Sequence, residues 1–404
     1  MAGTPTSILD ARETGDVSAI DEVVSVADKL SMLENDKNAL MVFANSLPSE
    51  DVTNNLFYWQ KDEILPKSGT TGASAASAAS GATAALNLAG DSTSVYVTLG
   101  DVLKFPATGH IYRVSAAPAN ATAAATISAT CLSGVTSTIA SGAQWVRIGN
   151  TFEENSRLIE SGALISLTTQ ETQLSNYTQT FRKAVGMSRR EQHMKKYSGD
   201  ARNRQRLKKL LEHCEEINNT LWHGVSGTEA NGRTRTGGIL SYVPAGNTEA
   251  ISTLTEDELD DFIRANTRYG SGKDKVLFAS RFVSQTISQL ARDSQRITTP
   301  GSENKWGVQV TEYLAGVGVG VKIVTDHALE GIPGSTAAPS GWDGYAVLVD
   351  PADMGLKKFA GCFMELEVDI QENDRDGVMD AYKSDIGLAI GHDEHQAAIT
   401  GVTG

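Results

Sequence analysis

Few residues in this chain have the types and spacing that metal binding requires. His392, Asp393 and His395 lie close together, and imidazole and carboxylate groups are metal ligands. Asp374 to Gly377 (DRDG) resembles part of a calcium loop, but Lys383 stands where such a loop needs a bidentate Glu. We interpret the first group as a polar terminal segment and the second as a charged loop. We therefore predict no metal and no other cofactor.

Residue patterns for catalysis are also missing. The chain has no Walker A loop, no GxGxxG after a strand, no GxSxG elbow and no HExxH. Acids cluster from Glu256 to Asp261, directly after a capping box formed by Thr255 and Glu258, so they suit the first turns of a helix. No motif pairs a nucleophile with a base. We expect no catalytic residue and no enzyme.

One stretch is unusual for its positive charge. Eleven Lys or Arg and two acids, Glu191 and Asp200, lie between Arg182 and Lys209, a local net charge of about +9 in a chain of net charge −14. This is either a solvated helix face or a surface for a negative partner. The candidate intersubunit or interior surface consists of Arg182, Lys183, Arg189, Arg190, Arg202, Arg204, Arg206, Lys208 and Lys209.

The bulk composition limits the class of protein. The 404 residues are 40% hydrophobic and 21% charged, enough for two or three domains, and no apolar run approaches the roughly 20 residues of a membrane helix. The first residues lack the pattern of a secretory signal. Cys131, Cys214 and Cys362 are isolated, which favours a reducing compartment over a disulfide framework. We predict no membrane partner and, from the acidic pI near 5.0, no general binding of nucleic acid.

The element that must position these residues is a helix from Asp200 to Trp222. An apolar stripe recurs at spacings of three and four, and Gly224 follows as a stop. The stripe consists of Leu207, Leu210, Leu211, Cys214, Ile217 and Leu221. Its bases precede its acids, which opposes the helix dipole. We therefore expect compensation from outside the helix, by acidic neighbours, a partner subunit or a polyanion.

Upstream of this helix the sequence predicts extensions. Residues 1 to about 50 form an arm with a short helix over Val17–Leu30 and an apolar patch at Leu40–Phe43, too small to fold alone. Leu56–Leu65 is a predicted strand. The Ala/Ser/Gly tract Ser68–Gly90 is predicted to be a flexible loop, with a close-packed strand as the alternative.

Short alternating segments then predict an inserted antiparallel barrel or sandwich over Asp91–Asn150. Ile159–Thr172 and Tyr177–Val185 are predicted as the returning strands of a long hairpin. After the central helix, helices and strands alternate: the capping box starts a helix that reaches about Arg268, and Lys275–Ala279 is a strand. The fold class is therefore α+β.

The order of these segments resembles the major capsid proteins of tailed bacteriophages, of the Hong Kong 97 type. The resemblance extends over nearly the whole chain after about residue 20. The segments that carry it are NLFYWQKDEIL, WVRIGNTFEEN, NYTQTFRKAVGMS, RTRTGGILSYV and the tail QENDRDGVMDAYKSDIGLAIGHDEHQAAITG. The parts it implies are an N-arm (1–50), an extended E-loop region (51–180) with an inserted β-barrel-like module (91–150), a P domain spine helix (181–224), an A domain (225–355) and P domain C-terminal strands (356–404).

The resemblance implies a structural major capsid protein that assembles with itself, as hexamers and pentamers, into the icosahedral head of a virion. Expected partners are packaged double-stranded DNA, through weak non-specific contacts, and scaffolding, portal and decoration proteins. Synthesis would occur in the host bacterial cytoplasm. No long charged helical segment leads the chain, so we expect a separate scaffolding protein or none. Lys61 and Lys67 lie in the loop, but no sequence pattern identifies a cross-linking partner, so we expect no covalent cross-link.

Two other hypotheses stay open. One is an encapsulin-like compartment shell, which would be shorter and lack the insertion. The other is a multidomain adhesin or hydrolase whose β module binds sugar or protein. The size of the purified particle discriminates between a shell and a monomer.

Overall fold

The computed structural model describes residues 39–75, 79–88, 97–116, 126–133, 138–152, 154, 169–194, 200–270, 275–294, 312–316, 318–330 and 343–403. The arm helix predicted over 17–30 and the start of the strand predicted at residue 159 lie outside them. The chain forms two compact units. Unit 1 comprises Met1–Trp59 with Leu174–Gly404, and unit 2 comprises Gln60–Gln173.

The helices of the described residues are α1 (Ala39–Ser46), α2 (Arg189–His193), α3 (Ala201–His223), α4 (Ile239–Tyr242), α5 (Glu256–Asn266) and α6 (Arg281–Ser294). The strands are β1 (Ser49–Val52), β2 (Leu56–Lys61), β3 (Ser68–Thr70), β4 (Thr83–Asn87), β5 (Asp101–Lys104), β6 (Ile111–Ala116), β7 (Thr126–Ser133), β8 (Gln144–Asn150), β9 (Thr172–Tyr177), β10 (Gln179–Ser188), β11 (Gly227–Thr228), β12 (Thr234–Arg235), β13 (Thr248–Ala250), β14 (Val276–Ala279), β15 (Glu312–Leu314), β16 (Gly320–Thr325), β17 (Ala346–Val349), β18 (Met354–Phe359), β19 (Glu365–Glu367), β20 (Gly377–Ile390) and β21 (Ala397–Thr400). None of these helices is long and apolar enough to span a bilayer.

The helix predicted from Asp200 to Trp222 is α3, whereas the predicted spine-helix range 181–224 is wrong at its start, where residues form β10 and α2. The Asp200 side chain caps it by accepting a hydrogen bond from the Arg202 amide at 2.9 Å, and Gly224 ends it. Burial of the predicted stripe is confirmed only in the C-terminal half, where Ile217 and Leu221 are fully buried. In the N-terminal half the prediction is wrong, because Leu207 is 54% exposed.

The helix α3 packs against one face of a five-stranded sheet, which we call sheet A. Its strands run in the order β1-β18-β20-β10, and β19 also pairs with β20. Along β10 the buried residues Phe181, Val185 and Met187 alternate with exposed ones, as in a sheet with one covered face. Phe181 packs with Ile217 and Leu221 of α3.

A second sheet of unit 1, sheet B, is covered on both faces. Its order is β13-β21-β17-β14-β16-β15, with parallel and antiparallel pairs. Every residue of β17 is buried: Ala346 and Leu348 pack with α5 and α6, and Val347 and Val349 pack with α1 and α3. The helix predicted from the capping box of Thr255 is α5. The α+β class is confirmed.

Unit 2 contains a small all-β module, which begins at Ser68 and not at the predicted Asp91. Its six antiparallel strands have the order β3-β8-β5-β6-β7-β4, and Gly72 N donates to Asn87 O at 3.1 Å, which joins the two ends of this order. The loop prediction for residues 68–90 is wrong at β3 and β4, which supply those ends. The close-packed alternative fits, since a Cβ on Gly69 would lie 2.9 Å from the Trp145 ring.

Candidate assembly site around the central helix

The N-terminal half of α3 is held to sheet A by two arginines on one carboxylate. Arg202 Nη2 lies 2.6 Å from Asp380 Oδ1, and Arg206 Nε lies 2.8 Å from Asp380 Oδ2. Arg202 also binds Asp369, at 2.7 Å. The Asp380 side chain is 1% exposed, and the hydrogen bond from Arg202, followed by that from Arg206, holds its pKa well below the usual range. The compensation expected for the reversed helix charges therefore comes, for these two arginines, from the same chain.

Three further members of the predicted basic surface are also paired within the chain. Lys183 binds Glu216, Lys209 binds Glu212, and Arg189 lies 2.9 Å from Asp376. The Arg189 pair is exposed on both sides, so its contribution to stability is about 0–1 kcal/mol. Arg204 also has a partner.

The remaining three members, Arg182, Arg190 and Lys208, are exposed, and the described residues provide no ion pair for them. The structure thus brings Arg202 and Arg206 together and does not join all nine residues in one cluster. Their role toward other subunits stays a prediction.

An apolar strip runs along this same half of α3. Leu207 is 54% exposed, Leu210 and Leu211 are half-buried, and exposed Lys208 lies next to them. Helix α1 packs against α3 beside Asn218, in its C-terminal half. These three neighbouring apolar side chains on an otherwise charged surface are a candidate contact for another protein segment.

Helix α1, which lies in the predicted N-terminal arm, is bound to the C-terminal half of α3. Leu40 N donates to Asp326 Oδ2 at 2.8 Å, and Met41 N donates to Asn218 Oδ1 at 2.9 Å. Asn218 Nδ2 in turn donates to Asp326 Oδ1 at 3.0 Å, and Trp222 Nε1 donates to Asp326 Oδ2 at 3.2 Å. The buried network therefore joins α1, α3 and the turn after β16.

The root of the hairpin is fastened nearby in unit 1. β2 and β9 pair with each other, and the buried amide of Asn176 in β9 donates to Leu388 O at 2.7 Å and accepts from Gly237 N at 2.7 Å. Trp59 of β2 donates through Nε1 to Gly391 O at 2.9 Å, and its ring lies 5.8 Å from that of Tyr242. The base of the hairpin is thus bound to β20, to the residue that follows β20 and to the segment after α3.

That following segment closes directly on the end of α3. Gly238 N donates to Gly224 O at 2.8 Å. A Cβ on Gly224 would lie 2.4 Å from Thr236 O, and one on Gly238 would lie 2.6 Å from Trp222 O, so the contact requires glycine at both positions. Asn176, Asn218 and Asp326 were missed in the sequence. Asn218 offered a local signal, because it lies among the apolar positions of α3, whereas the others depend on contacts distant in the chain.

A buried histidine lies between α3 and sheet A. His213 Nε2 is 2.9 Å from Ser384 Oγ, and no described residue binds its Nδ1. The Ser384 hydroxyl also accepts a hydrogen bond from Met364 N at 2.9 Å. Burial lowers the pKa of His213, because the charged imidazolium loses its hydration there.

The other residues with candidate chemistry have structural partners. The rings of His392 and His395 stack at 4.9 Å, and His395 binds Asp353. Within the part of the chain that the structure describes, no group of three or more His, Cys, Asp or Glu is arranged to hold a metal. Asp376 of the DRDG segment pairs with Arg189, and Asp260 accepts a hydrogen bond from the Tyr313 hydroxyl at 2.8 Å.

The long helix α3 thus packs on the mixed sheet A, and both α1 and the paired strands β2 and β9 are fastened near its C-terminal end. The family model for the SU10 major capsid protein matches residues 7–403. The chain therefore belongs to the SU10 major capsid protein family, and it is a structural protein of the virion head. The resemblance stated from the sequence is confirmed.

Comparison with solved structures finds similar chains at low identity. A chain in a structure of Mycobacterium phage Bobi is 10% identical with a TM-score of 0.48, over 97% of this chain and 99% of that one. The capsid of the native GTA particle is 9% identical with a TM-score of 0.48, over 94% and 95%. The SrpI encapsulin of Synechococcus elongatus PCC 7942 is 12% identical with a TM-score of 0.40, over 57% and 76%. No curated protein matches the chain.

Proposed function

We propose that this capsid protein closes the phage head as hexamers and pentamers around double-stranded DNA, and that residues 1–38 and the hairpin bearing unit 2 bind neighbouring copies. One observation carries the proposal. Both extensions are rooted at the buried end of α3, while the other end of the same helix keeps an apolar strip exposed. Many weak contacts of this kind add up around a closed shell.

Residues 1–38 are the proposed occupant of the strip of Leu207, Leu210 and Leu211. They contain eight acids and three bases, which complements exposed Lys208, and the predicted helix at 17–30 offers an apolar face. In this proposal the occupant comes from a neighbouring copy of the chain, so the strip is uncovered in the dissociated subunit.

The basic surface serves contacts between subunits more than contacts with DNA. The charges of Arg202 and Arg206 are already bound to Asp380, which leaves Arg182, Arg190 and Lys208 for other partners. The net charge of −14 opposes tight binding of phosphate by the shell, and tight binding would hinder both packaging and release. DNA contacts are weak and non-specific in this proposal.

The family supports the remaining features of the proposed function. The protein has a structural role and no catalytic one, is made in the host cytoplasm, and assembles with a portal. The barrel of unit 2 is either a site for a decoration protein or a module without a partner. Lys61 pairs with Glu63 at 3.5 Å, and we propose that neither it nor Lys67 forms a cross-link.

Charge reversal at Lys208 tests the strip. Lys208→Glu leaves the Asp380 bridge intact and should reduce the yield of closed particles in size-exclusion chromatography and electron microscopy. Lys322→Glu, at an exposed position in β16, is the control and should assemble normally. Normal assembly of both single variants, Lys208→Glu and Leu207→Asp, would contradict the role of the strip. If the unaltered chain forms small closed shells without DNA in infected cells, the encapsulin-like hypothesis replaces the proposal.

A further inference from the structure

The start of α1 is capped by side chains from distant parts of the chain. Leu40 and Met41 are its second and third residues, whose amides are usually bound by the residue just before a helix. Here the acceptors are Asp326, 286 positions away, and Asn218, 177 positions away. The position of α1 therefore depends on two tertiary contacts.

The Asp326 carboxylate is fully buried and receives four hydrogen bonds. Leu40 N and Trp222 Nε1 donate to Oδ2, at 2.8 and 3.2 Å, and Asn218 Nδ2 and Ala328 N donate to Oδ1, at 3.0 and 2.9 Å. Charged hydrogen bonds of this kind are among the stronger ones in proteins. An amide at position 326 offers one acceptor oxygen in place of two, and so leaves buried donors without a partner.

This capping matters because of what precedes it. The helix α1 has eight residues, and helices of that length are not stable alone in water. Residues 1–38, the rest of the predicted arm, directly precede its first residue in the sequence. We propose that Asp326 and Asn218 are positioning residues for assembly, which fix the point at which the N-terminal arm leaves the subunit. This inference rests on the proposed function, in which the arm binds neighbouring copies.

Hydrogen exchange on dissociated subunits tests the anchor without assembly. Asp326→Asn should make the amides of residues 40–44 exchange about tenfold faster or more. Asp350→Asn is a matched control: Asp350 is equally buried, also follows a strand of sheet B and also caps a short turn, through Ala352 N at 3.1 Å. It should leave residues 40–44 unchanged. Unchanged exchange of these amides in Asp326→Asn would overturn the proposal.

Two further variants separate positioning from general stability. Asn218→Leu keeps the carboxylate and removes the acceptor of Met41 N, so it should release the same amides even if Asp326→Asn does not fold.

Deletion of residues 1–38 should reduce shell formation as much as Asp326→Asn does, and the two changes together should be no worse than either alone. A further loss in the combined variant, or normal shells from Asp326→Asn or the deletion, would overturn the inference. Failure of the unaltered chain to form shells would instead contradict the proposed function. The hydrogen-exchange result would still test whether Asp326 and Asn218 hold α1.

Discussion

The two halves of α3 differ in what surrounds them. The C-terminal half is enclosed by its own chain: Ile217, Leu221 and Trp222 are fully buried, and the arm, the hairpin and the segment after α3 all fasten there. The N-terminal half is held on one side by Arg202 and Arg206, while its apolar strip stays open. Under the proposed function, the enclosed half is a fixed core element and the open half of the same helix is a surface for assembly.

The largest expected effect comes from truncating the enclosed half. The Trp222 ring packs 5.3 Å from that of Phe278, and its Nε1 binds Asp326. Trp222→Ala should lower the free energy of unfolding of the subunit by about 3–5 kcal/mol, because it leaves a cavity. Leu207→Ala in the open half should change it by no more than about 0.5 kcal/mol. Urea denaturation of both variants measures these changes in the free energy of unfolding. Equal losses in the two variants would contradict the contrast between the halves.

A smaller effect is expected at the bridge that holds the open half. Asp380→Asn leaves Arg202 and Arg206 without their carboxylate, and breaking a buried pair typically costs about 3–5 kcal/mol. We expect the lower end of that range, because the arginine side chains are 27% and 19% exposed. Asp376→Asn at the exposed pair with Arg189 is the control and should cost less than about 1 kcal/mol. Urea denaturation at pH 7 compares the two.

The same carboxylate predicts acid sensitivity. Since the pKa of Asp380 is lower in the folded state, the unfolded chain binds the proton more readily below its ordinary pKa of 3.8. The stability from the bridge is thus complete above that pH and is lost as pH falls toward the folded pKa. Denaturation of the unaltered protein between pH 5 and pH 2 should show a loss of stability that is absent in Asp380→Asn. An identical pH dependence in both proteins would contradict the bridge.

The smallest effect is expected at His213, where the two halves meet. Its ring faces Ser384, Phe181 and Tyr382 of sheet A, with Lys183 and Glu216 as the charges nearby. Because the folded pKa is lowered, the unfolded chain takes up the proton first, so stability falls as pH decreases below about 6.5. His213→Gln should reduce this loss of stability between pH 7 and pH 5 and leave the part due to His223, whose pKa burial also lowers, while His193→Gln, at an exposed position, should retain the whole loss. Denaturation midpoints across that range provide the measurement.

Local signals allowed much of this fold to be predicted. Asp200 and Gly224 mark the ends of α3, and Thr255 with Glu258 starts α5, because caps are made by residues adjacent in sequence. The tract at residues 68–90 was mispredicted because its small side chains fit a loop as well as a strand packed under Trp145. Exposure of Leu207 was missed, since a periodic pattern shows that a face is apolar and cannot show what covers it.

The anchors could not be predicted, for a different reason. The carboxylates of Asp326 and Asp380 bind partners more than 100 positions away, and nothing in the neighbouring sequence indicates those partners. Nine basic residues were grouped by their proximity in the sequence. The fold assigns two of them to Asp380 and leaves three exposed without an ion pair among the described residues, so sequence distance alone was a poor guide to a shared surface.

Hydroxyl-radical footprinting of dissociated subunits and assembled particles tests the central claim most directly. Oxidation of Leu207 should be strong in the free subunit and nearly absent in the particle, because another segment covers the open half of α3 there. Trp222, buried by its own chain, should be protected in both states. Equal oxidation of Leu207 before and after assembly would contradict the claim that this half of α3 is an assembly surface.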